Sequence, residues 1–486
     1  MLRVRKYYLW LILAVASGQA LSAQETGNVT SLPGTTENIS PIDTTPPGKN
    51  FFTIRTIIIE GNKKTRPSII LREIPFKVGD GFLLPDLVKK FEIGRKRLMN
   101  TALFHEVVVA LKKSDGYNID VLVSVKERWY IFPIPYFKPV DRNLNQWIVE
   151  QKASLSRVNY GIKLLYNNVT GRNDKLRILG INGYTKQLSF NYEGLYFDKR
   201  MKWGFSTGFN MGKNREINYS SVNDKQVFFR DNDNYLHKFT SGYAELTYRR
   251  AIRTRHRFGI GFSSESVADT VIKLNPSYFQ SGRKRISYPE LYYTMTYYDL
   301  DYIPYPTKGY AAEVTIDKKG INSSVNLWQF SVKGSGNWTT GKKTFFSLNT
   351  FAAIKLPFKQ PYSAQRLLGY SDVFMQGYEY YVIDGAAGGY LKAAFTRKLF
   401  DFGIRVPGTK RFAPFRVPFN IYGKIYGNAG YIYNPSPGDN FLSNKMLFSS
   451  GLGLDITTIY DFNLKLEWSF NQLGQNGLFL HRRTIF

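Results

Sequence analysis

The residues that could carry chemistry are few in this chain and poorly placed for it. Its four histidines, His105, His237, His256 and His481, lie far apart and show no zinc-type spacing. There is no cysteine, which removes disulfides, thiol nucleophiles and thiolate ligands. Asp299 and Asp301 stand two apart and could share a calcium ion. The Pro-Tyr-Pro-Thr that follows them reads more simply as a turn that they flank. No Gly-rich phosphate loop and no nucleophile elbow occurs. These observations exclude the common routes to catalysis, so no enzyme, no cofactor and no metal is expected. What the chain offers instead is a stretch crowded with tyrosine and glycine, "FMQGYEYYVIDGAAGGY", Phe374 to Tyr390. Such a segment must be irregular in backbone yet rich in packing surface, and only its surroundings can say why.

Those surroundings begin with composition. The chain has 486 residues, 66 Lys+Arg against 37 Asp+Glu, 34 Tyr and 36 Phe. Its mean hydropathy is slightly negative. High aromatic content with low hydropathy suits a membrane β-barrel, whose strands alternate lipid-facing apolar with lumen-facing polar residues. The net charge of +29 raises nucleic acid as a partner. The basic residues are spread along the whole chain, however, and suit loops and lumen near anionic headgroups; no nucleic acid is expected.

The N-terminus supplies the compartment. "MLRVRKYYLWLILAVASGQALSA" has a basic start, an apolar run and small residues, the pattern of a secretory signal peptide over residues 1–23. Its apolar run is about half of the ~20 residues a spanning helix needs. No later segment is long and apolar enough to cross as a helix, so a membrane location implies a barrel. Residues 24–50 are rich in Thr, Pro, Gly and Asn and read as a disordered linker.

A small α+β domain is expected over residues 51–129, in the order β-α-α-β-β. "FFTIRTIIIEGNKKT" reads as a strand closed by Gly61-Asn62, with Thr65 as the cap of a helix opened by Pro67. A second helix carries Leu84, Leu87, Val88, Phe91 and Leu98 at helical spacing. Two alternating strands follow, turned by Asp115-Gly116. Together, Gly61-Asn62, Thr65, Arg72, Gly79, Phe104, Val107, Gly116 and Val125-Lys126-Glu127 resemble a polypeptide-transport-associated (POTRA) domain. The resemblance implies β-augmentation, in which an exposed sheet edge pairs with an extended client chain.

Residues 130–486 read as strands. In "FNLKLEWSFN", Phe462, Leu464, Leu466, Trp468 and Phe470 form one face, and polar residues form the other. "GYAAEVTID" alternates likewise. At ~10 residues per spanning strand plus turns, this length holds a barrel with strands in the mid-teens. "LLYNNVTGRND" (Leu164 to Asp174), "YYDLDYIPYPTKGYAAEVTID" and the terminal Phe486 resemble segments of the BamA/TamA-type outer-membrane insertase and two-partner-secretion superfamily.

That resemblance implies a transmembrane antiparallel β-barrel of sixteen strands in a Gram-negative-type outer membrane, with one POTRA domain in the periplasm. It also implies that a long loop between late strands folds into the lumen. The loop's tip, hydrophobic-Arg-Gly-aromatic in the superfamily, reads Met375-Gln376-Gly377-Tyr378 here. Gln376 departs from the family's Arg and exchanges a charge-assisted pair for neutral hydrogen bonds. The expected function is assembly of other outer-membrane proteins, with unfolded clients captured at the POTRA edge and folded at the barrel seam. A two-partner-type secretion pore and a structural surface antigen without a transport role are the alternatives. The partners implied are unfolded outer-membrane or secreted polypeptides, outer-membrane lipid and accessory assembly subunits.

Overall fold

The computed structural model describes residues 51–481, except 140–145, 151, 199, 232, 322–324, 371 and 406–415. The expected signal peptide, the linker and Phe486 lie outside the described residues.

The α+β domain comprises β1 (Phe52–Glu60), α1 (Pro67–Glu73), β2 (Gly81–Phe82), α2 (Leu84–Asn100), β3 (Phe104–Asp115) and β4 (Asn118–Glu127). Its sheet runs β2-β1-β4-β3, with β1 parallel to β4 and the other pairs antiparallel. The two-residue β2 is an addition to the expected order. Alternate residues of the strands meet one face of both helices, so Ile54, Ile69, Ile70, Leu98, Phe104, Ile119, Val121 and Val123 are fully buried. Gly61 has φ +86°, and a Cβ there would lie 2.0 Å from the Val125 carbonyl oxygen, so that turn admits only glycine. Gly79 and Gly116 also take positive φ.

Two local expectations need correction. Thr65 does not cap α1, whose first turn carries no side-chain cap. Its hydroxyl instead lies 3.0 Å from that of Tyr130 and accepts from the Asn168 side chain at 3.0 Å. The N-cap position falls on Arg66, one residue later, so the Thr65 hydroxyl turns to these partners. In α2 only Leu87 and Leu98 of the apolar stripe are buried, while Leu84 and Val88 are more than half exposed. A single layer of sheet covers only one side of the helix.

The barrel strands are β5 (Ile131–Pro139), β6 (Val158–Asn167), β7 (Lys175–Gly183), β8 (Thr185–Tyr196) and β9 (Trp203–Asn214). After a hairpin of β10 (Glu216–Val222) and β11 (Lys225–Arg230) come β12 (His237–Tyr248), β13 (Thr254–Val267), β14 (Arg285–Leu300), β15 (Gly309–Lys319), β16 (Leu327–Thr339) and β17 (Thr344–Leu356). The long loop 357–386 carries the short pair β18 (Arg366–Leu368) and β19 (Ile383–Asp384). The last strands are β20 (Ala387–Arg405), β21 (Arg416–Tyr433), β22 (Met446–Thr457), β23 (Asn463–Asn471) and β24 (Asn476–His481). Leaving out the two hairpins, they form one sixteen-stranded antiparallel sheet from β5 to β24. The alternation read in β23 is the reason it forms: Trp468 and Phe470 face outward and exposed, while Glu467 and Ser469 are buried inside. No described helix is long and apolar enough to cross a membrane.

The α+β domain seats on the barrel turns at its own end. Arg249, just after β12, holds Glu73 of α1 through bonds of 2.7 and 3.0 Å. The Asn168–Asp174 turn receives Arg66, whose N–H donates to the Gly171 carbonyl at 3.0 Å. The "NNVTGRND" segment is therefore a docking turn as well as a strand connection.

Candidate functional site: lumen loop, sheet edge and barrel seam

The lumen-loop residues come together on the inner wall of the late strands. Met375 and Tyr378 are 1% and 2% exposed, packed among Leu368, Ile432 and Leu447. The Tyr378 hydroxyl donates to the Phe448 carbonyl at 3.1 Å. Gly377 has φ +87°, and a Cβ there would lie 3.0 Å from Ser449 Cβ and 3.1 Å from the Phe470 carbonyl oxygen. Asn471 donates to the Gly377 carbonyl at 2.7 Å, and the Gly377 N–H donates to Glu379 at 2.8 Å. The tyrosines supply ring area with a hydroxyl that can reach a partner, and the glycine supplies the turn.

Gln376 meets a carboxylate that already has cations. Its Nε2 donates to Glu467 Oε1 at 3.4 Å. Lys424 Nζ lies 2.6 Å from that same oxygen and 2.6 Å from Asp455 Oδ1, and His481 Nδ1 bonds the other Glu467 oxygen. Glu467 is 1% exposed. The cation on this carboxylate thus stands on the barrel wall, at Lys424, beside the neutral Gln376 of the loop. Sequence reading missed this cluster. The only signal was that each member sits at a polar position of an alternating strand, which dozens of other residues share.

Of the other candidates, Asp301 caps its own turn, accepting the N–H groups of Thr307 and Lys308 at 3.0 and 3.1 Å. Asp299 pairs with Arg253 at 2.8 Å. His105, His237 and His256 stay apart, and His481 joins the lumen cluster.

Contacts tie the chain together at both ends of the barrel. At the far end the tip of the β10–β11 hairpin buries Asp224 completely. Its carboxylate accepts the N–H groups of Phe441 and Leu442 at 2.8 and 2.9 Å, and its carbonyl accepts that of Val382 at 2.8 Å. Burial pushes the Asp224 carboxyl upward against those two bonds. Three loops are thereby tied to one another. At the near end, burial opposes the charge on Glu73, but its bonds to Arg249 and the field of Arg249 and Arg72 hold its carboxyl below the usual range.

β3 is the outer strand on one side of the α+β sheet. Its ladder with β4 is regular from Glu106 to Leu111, between irregularities at Phe104/Glu106 and Leu111/Lys113. The other edge, β2, is only two residues long. Phe104 anchors β3 in the core. At the seam, no ladder joins β5 to β24 among the described residues.

A small α+β domain seated on a sixteen-stranded antiparallel barrel, with a loop packed against its inner wall, defines the class: a transmembrane β-barrel with one small appended domain. Residues 52–128 match the POTRA family (surface antigen variable number repeat), and residues 168–473 match the Omp85 superfamily domain. The chain belongs to the Omp85 superfamily, resides in the outer membrane and places its POTRA domain in the periplasm. It is similar to the outer membrane protein assembly factor BamA of Neorickettsia risticii (strain Illinois), at 25% identity over 289 residues. That alignment covers 59% of this chain and 34% of the relative, so the chain spans about a third of the curated relative's length. Among solved structures, CdiB from Escherichia coli shares the fold with a TM-score of 0.53 and 11% identity, over 88% of this chain and 75% of that one. BamA from Haemophilus ducreyi lacking POTRA domains 1–3 aligns at a TM-score of 0.47 and 15% identity, over 89% and 83%.

Proposed function

We propose that this protein assembles other outer-membrane proteins. The POTRA β3 edge offers unpaired backbone groups to an extended client, and the client then folds at the barrel seam, where the adjoining bilayer gives it access to lipid. The lumen loop, from Met375 to Tyr378, braces the late strands next to that seam. No step of this scheme needs a catalytic group.

One observation supports this reading above the others. The POTRA domain is bonded to the barrel turns at one end and three loops are tied together at the other, while the β3 edge stays at the surface. A secretion pore of the two-partner type would have to release the contacts at both ends before a chain could pass.

Depletion of the protein followed by profiling of the outer membrane tests the proposal. Loss of one or more other barrels, with a periplasmic stress response, is the expected result. An intact membrane profile with one large exported protein missing from the medium would favour the secretion pore. No change in either would leave a structural role.

A further inference from the structure

The first barrel strand has an edge unlike that of any other strand in the sheet. β5 reads "IFPIPYFKP", with prolines at 133, 135 and 139. Its register on β6 is regular over all nine residues, from Ile131 opposite Tyr166 to Pro139 opposite Val158. The Asn167 N–H donates to the Tyr130 carbonyl at 2.8 Å. In an antiparallel ladder that bond sets the alternation: even-numbered residues exchange bonds with β6, and odd-numbered residues turn their backbone groups the other way. The indole of Trp129 donates to the Ile131 carbonyl, an independent mark of the same alternation.

All three prolines therefore fall on the side facing the seam. At an even position each would have removed a bond to β6. Placed as they are, they leave the inner ladder whole and strip the outer edge. Of the five seam-facing positions, 131, 133, 135, 137 and 139, only Ile131 and Phe137 keep an N–H.

Side chains join the seam at its periplasmic end. Arg128, just before β5, grips Asp461 through bonds of 2.8 and 3.2 Å and also donates to the Phe104 carbonyl of the POTRA domain at 2.8 Å. Asp461 lies on the turn from β22 into β23, beyond the seam, and also accepts from the Tyr302 hydroxyl. Next to it the Tyr460 ring packs edge-on against His105 at 5.0 Å and Phe132 at 5.4 Å.

We propose that β5 is a donor-depleted edge that does not template client strands, and that the Arg128–Asp461 clamp holds the seam at its periplasmic end. A strand laid on β5 finds carbonyls to donate to but only two N–H groups to accept from. A full antiparallel ladder needs exchange in both directions. Prolines on an exposed edge are also a known physical means of preventing edge-to-edge pairing. The inference rests on the assembly reading only where it speaks of clients, because the chemistry of the edge stands without it.

Two measurements test it, one with clients and one without. Benzoylphenylalanine placed singly at 131–139 and at 106–111 in cells should trap clients on the POTRA edge and give no two-residue period along β5. A two-residue period of client adducts along β5 would overturn the proposal. On purified protein, Phe137→Cys is combined in turn with Asn476→Cys, Leu478→Cys and Leu480→Cys, with and without Pro133→Ala, Pro135→Ala and Pro139→Ala. Restoring the donors should favour one disulfide register, with a yield gain on the order of fivefold for each N–H that finds a carbonyl. The same dominant register at the same yield in both backgrounds would show that the edge was already zipped and sink the idea. This second result decides the matter even if no client is trapped, and Pro135→Ala alone serves if the triple variant fails to fold. Asp461→Asn should broaden the spread of trapped registers; an unchanged pattern would refute the clamp.

Discussion

Exchanging the charge between loop tip and wall tests the account of Gln376. In the native protein Lys424 bridges Glu467 and Asp455 at 2.6 Å each, and both carboxylates are at most 4% exposed. Lys424→Gln takes the bridging cation from two buried anions and should cost about 3 kcal/mol. Gln376→Arg alone adds a cation to an anion already bonded by Lys424 and His481. At an effective dielectric near 20, a like charge about 5 Å away costs roughly 3 kcal/mol, and attraction to Glu467 offsets only part of it. Nearby Lys392, over the rings of Phe374 and Tyr390 at 4.3 and 4.5 Å, adds to the repulsion. The single variant should therefore be destabilised by about 1–2 kcal/mol. Combined with Lys424→Gln, the new Arg takes over the vacated carboxylates, so the double variant should be more stable than the sum of the singles by about 2–3 kcal/mol. Urea unfolding of the four proteins in detergent, followed by loss of heat-modifiable migration, gives the cycle. Additivity within about 0.5 kcal/mol, or a stabilising Gln376→Arg on its own, would refute the reasoning.

Gly377→Val should cost on the order of 1–3 kcal/mol in the same assay, since the backbone is left-handed there and the wall leaves no room for a Cβ. Tyr378→Ala should cost up to a few kcal/mol, about what deleting a buried aromatic ring costs. A cysteine at 376 in this cysteine-free chain should resist a bulky impermeant thiol reagent on whole cells; ready labelling would place the tip at the surface. Glu73→Gln should loosen the POTRA domain from the barrel by roughly 3 kcal/mol, seen as faster protease release. Because the Glu73 carboxyl is held below its usual range, its contribution is fully present above the ordinary value of about 4.3 and fades as pH falls through the lowered one. The variant should lack that fade, and an identical pH profile would exclude Glu73 as its source. Asp224→Ala unties the hairpin tip from Phe441, Leu442 and their loop, so conductance in planar bilayers should rise over the native protein; unchanged conductance would show that the tied loops do not close the mouth.

Much of the architecture was legible in one dimension because it follows from local period. The two-residue alternation of "FNLKLEWSFN" places lipid face and lumen face without reference to any other strand. Glycines at 61 and 116 announce turns through backbone conformations that other side chains resist. The same local reasoning failed where a residue's partner is distant in the chain. Thr65 has the type and position of a helix cap, but its hydroxyl meets Tyr130 and Asn168. Leu84 and Val88 keep helical spacing but face away from the sheet. Lys424, Asp455, Glu467 and His481 come from four strands, and nothing in their local sequence pairs them.

The prolines of β5 mark where the two kinds of knowledge meet. The sequence by itself determines that 133, 135 and 139 carry no N–H and that all three share one parity. Which side of the strand that parity faces is a matter of register, and a shift by one residue would have turned the same prolines against β6 and broken the sheet. Only the tertiary structure, through the bond from Asn167 to Tyr130, decides that the missing donors face the seam. Side-chain type and local period are properties of the chain, whereas register, charge pairing and edge position arise only when distant segments are brought side by side.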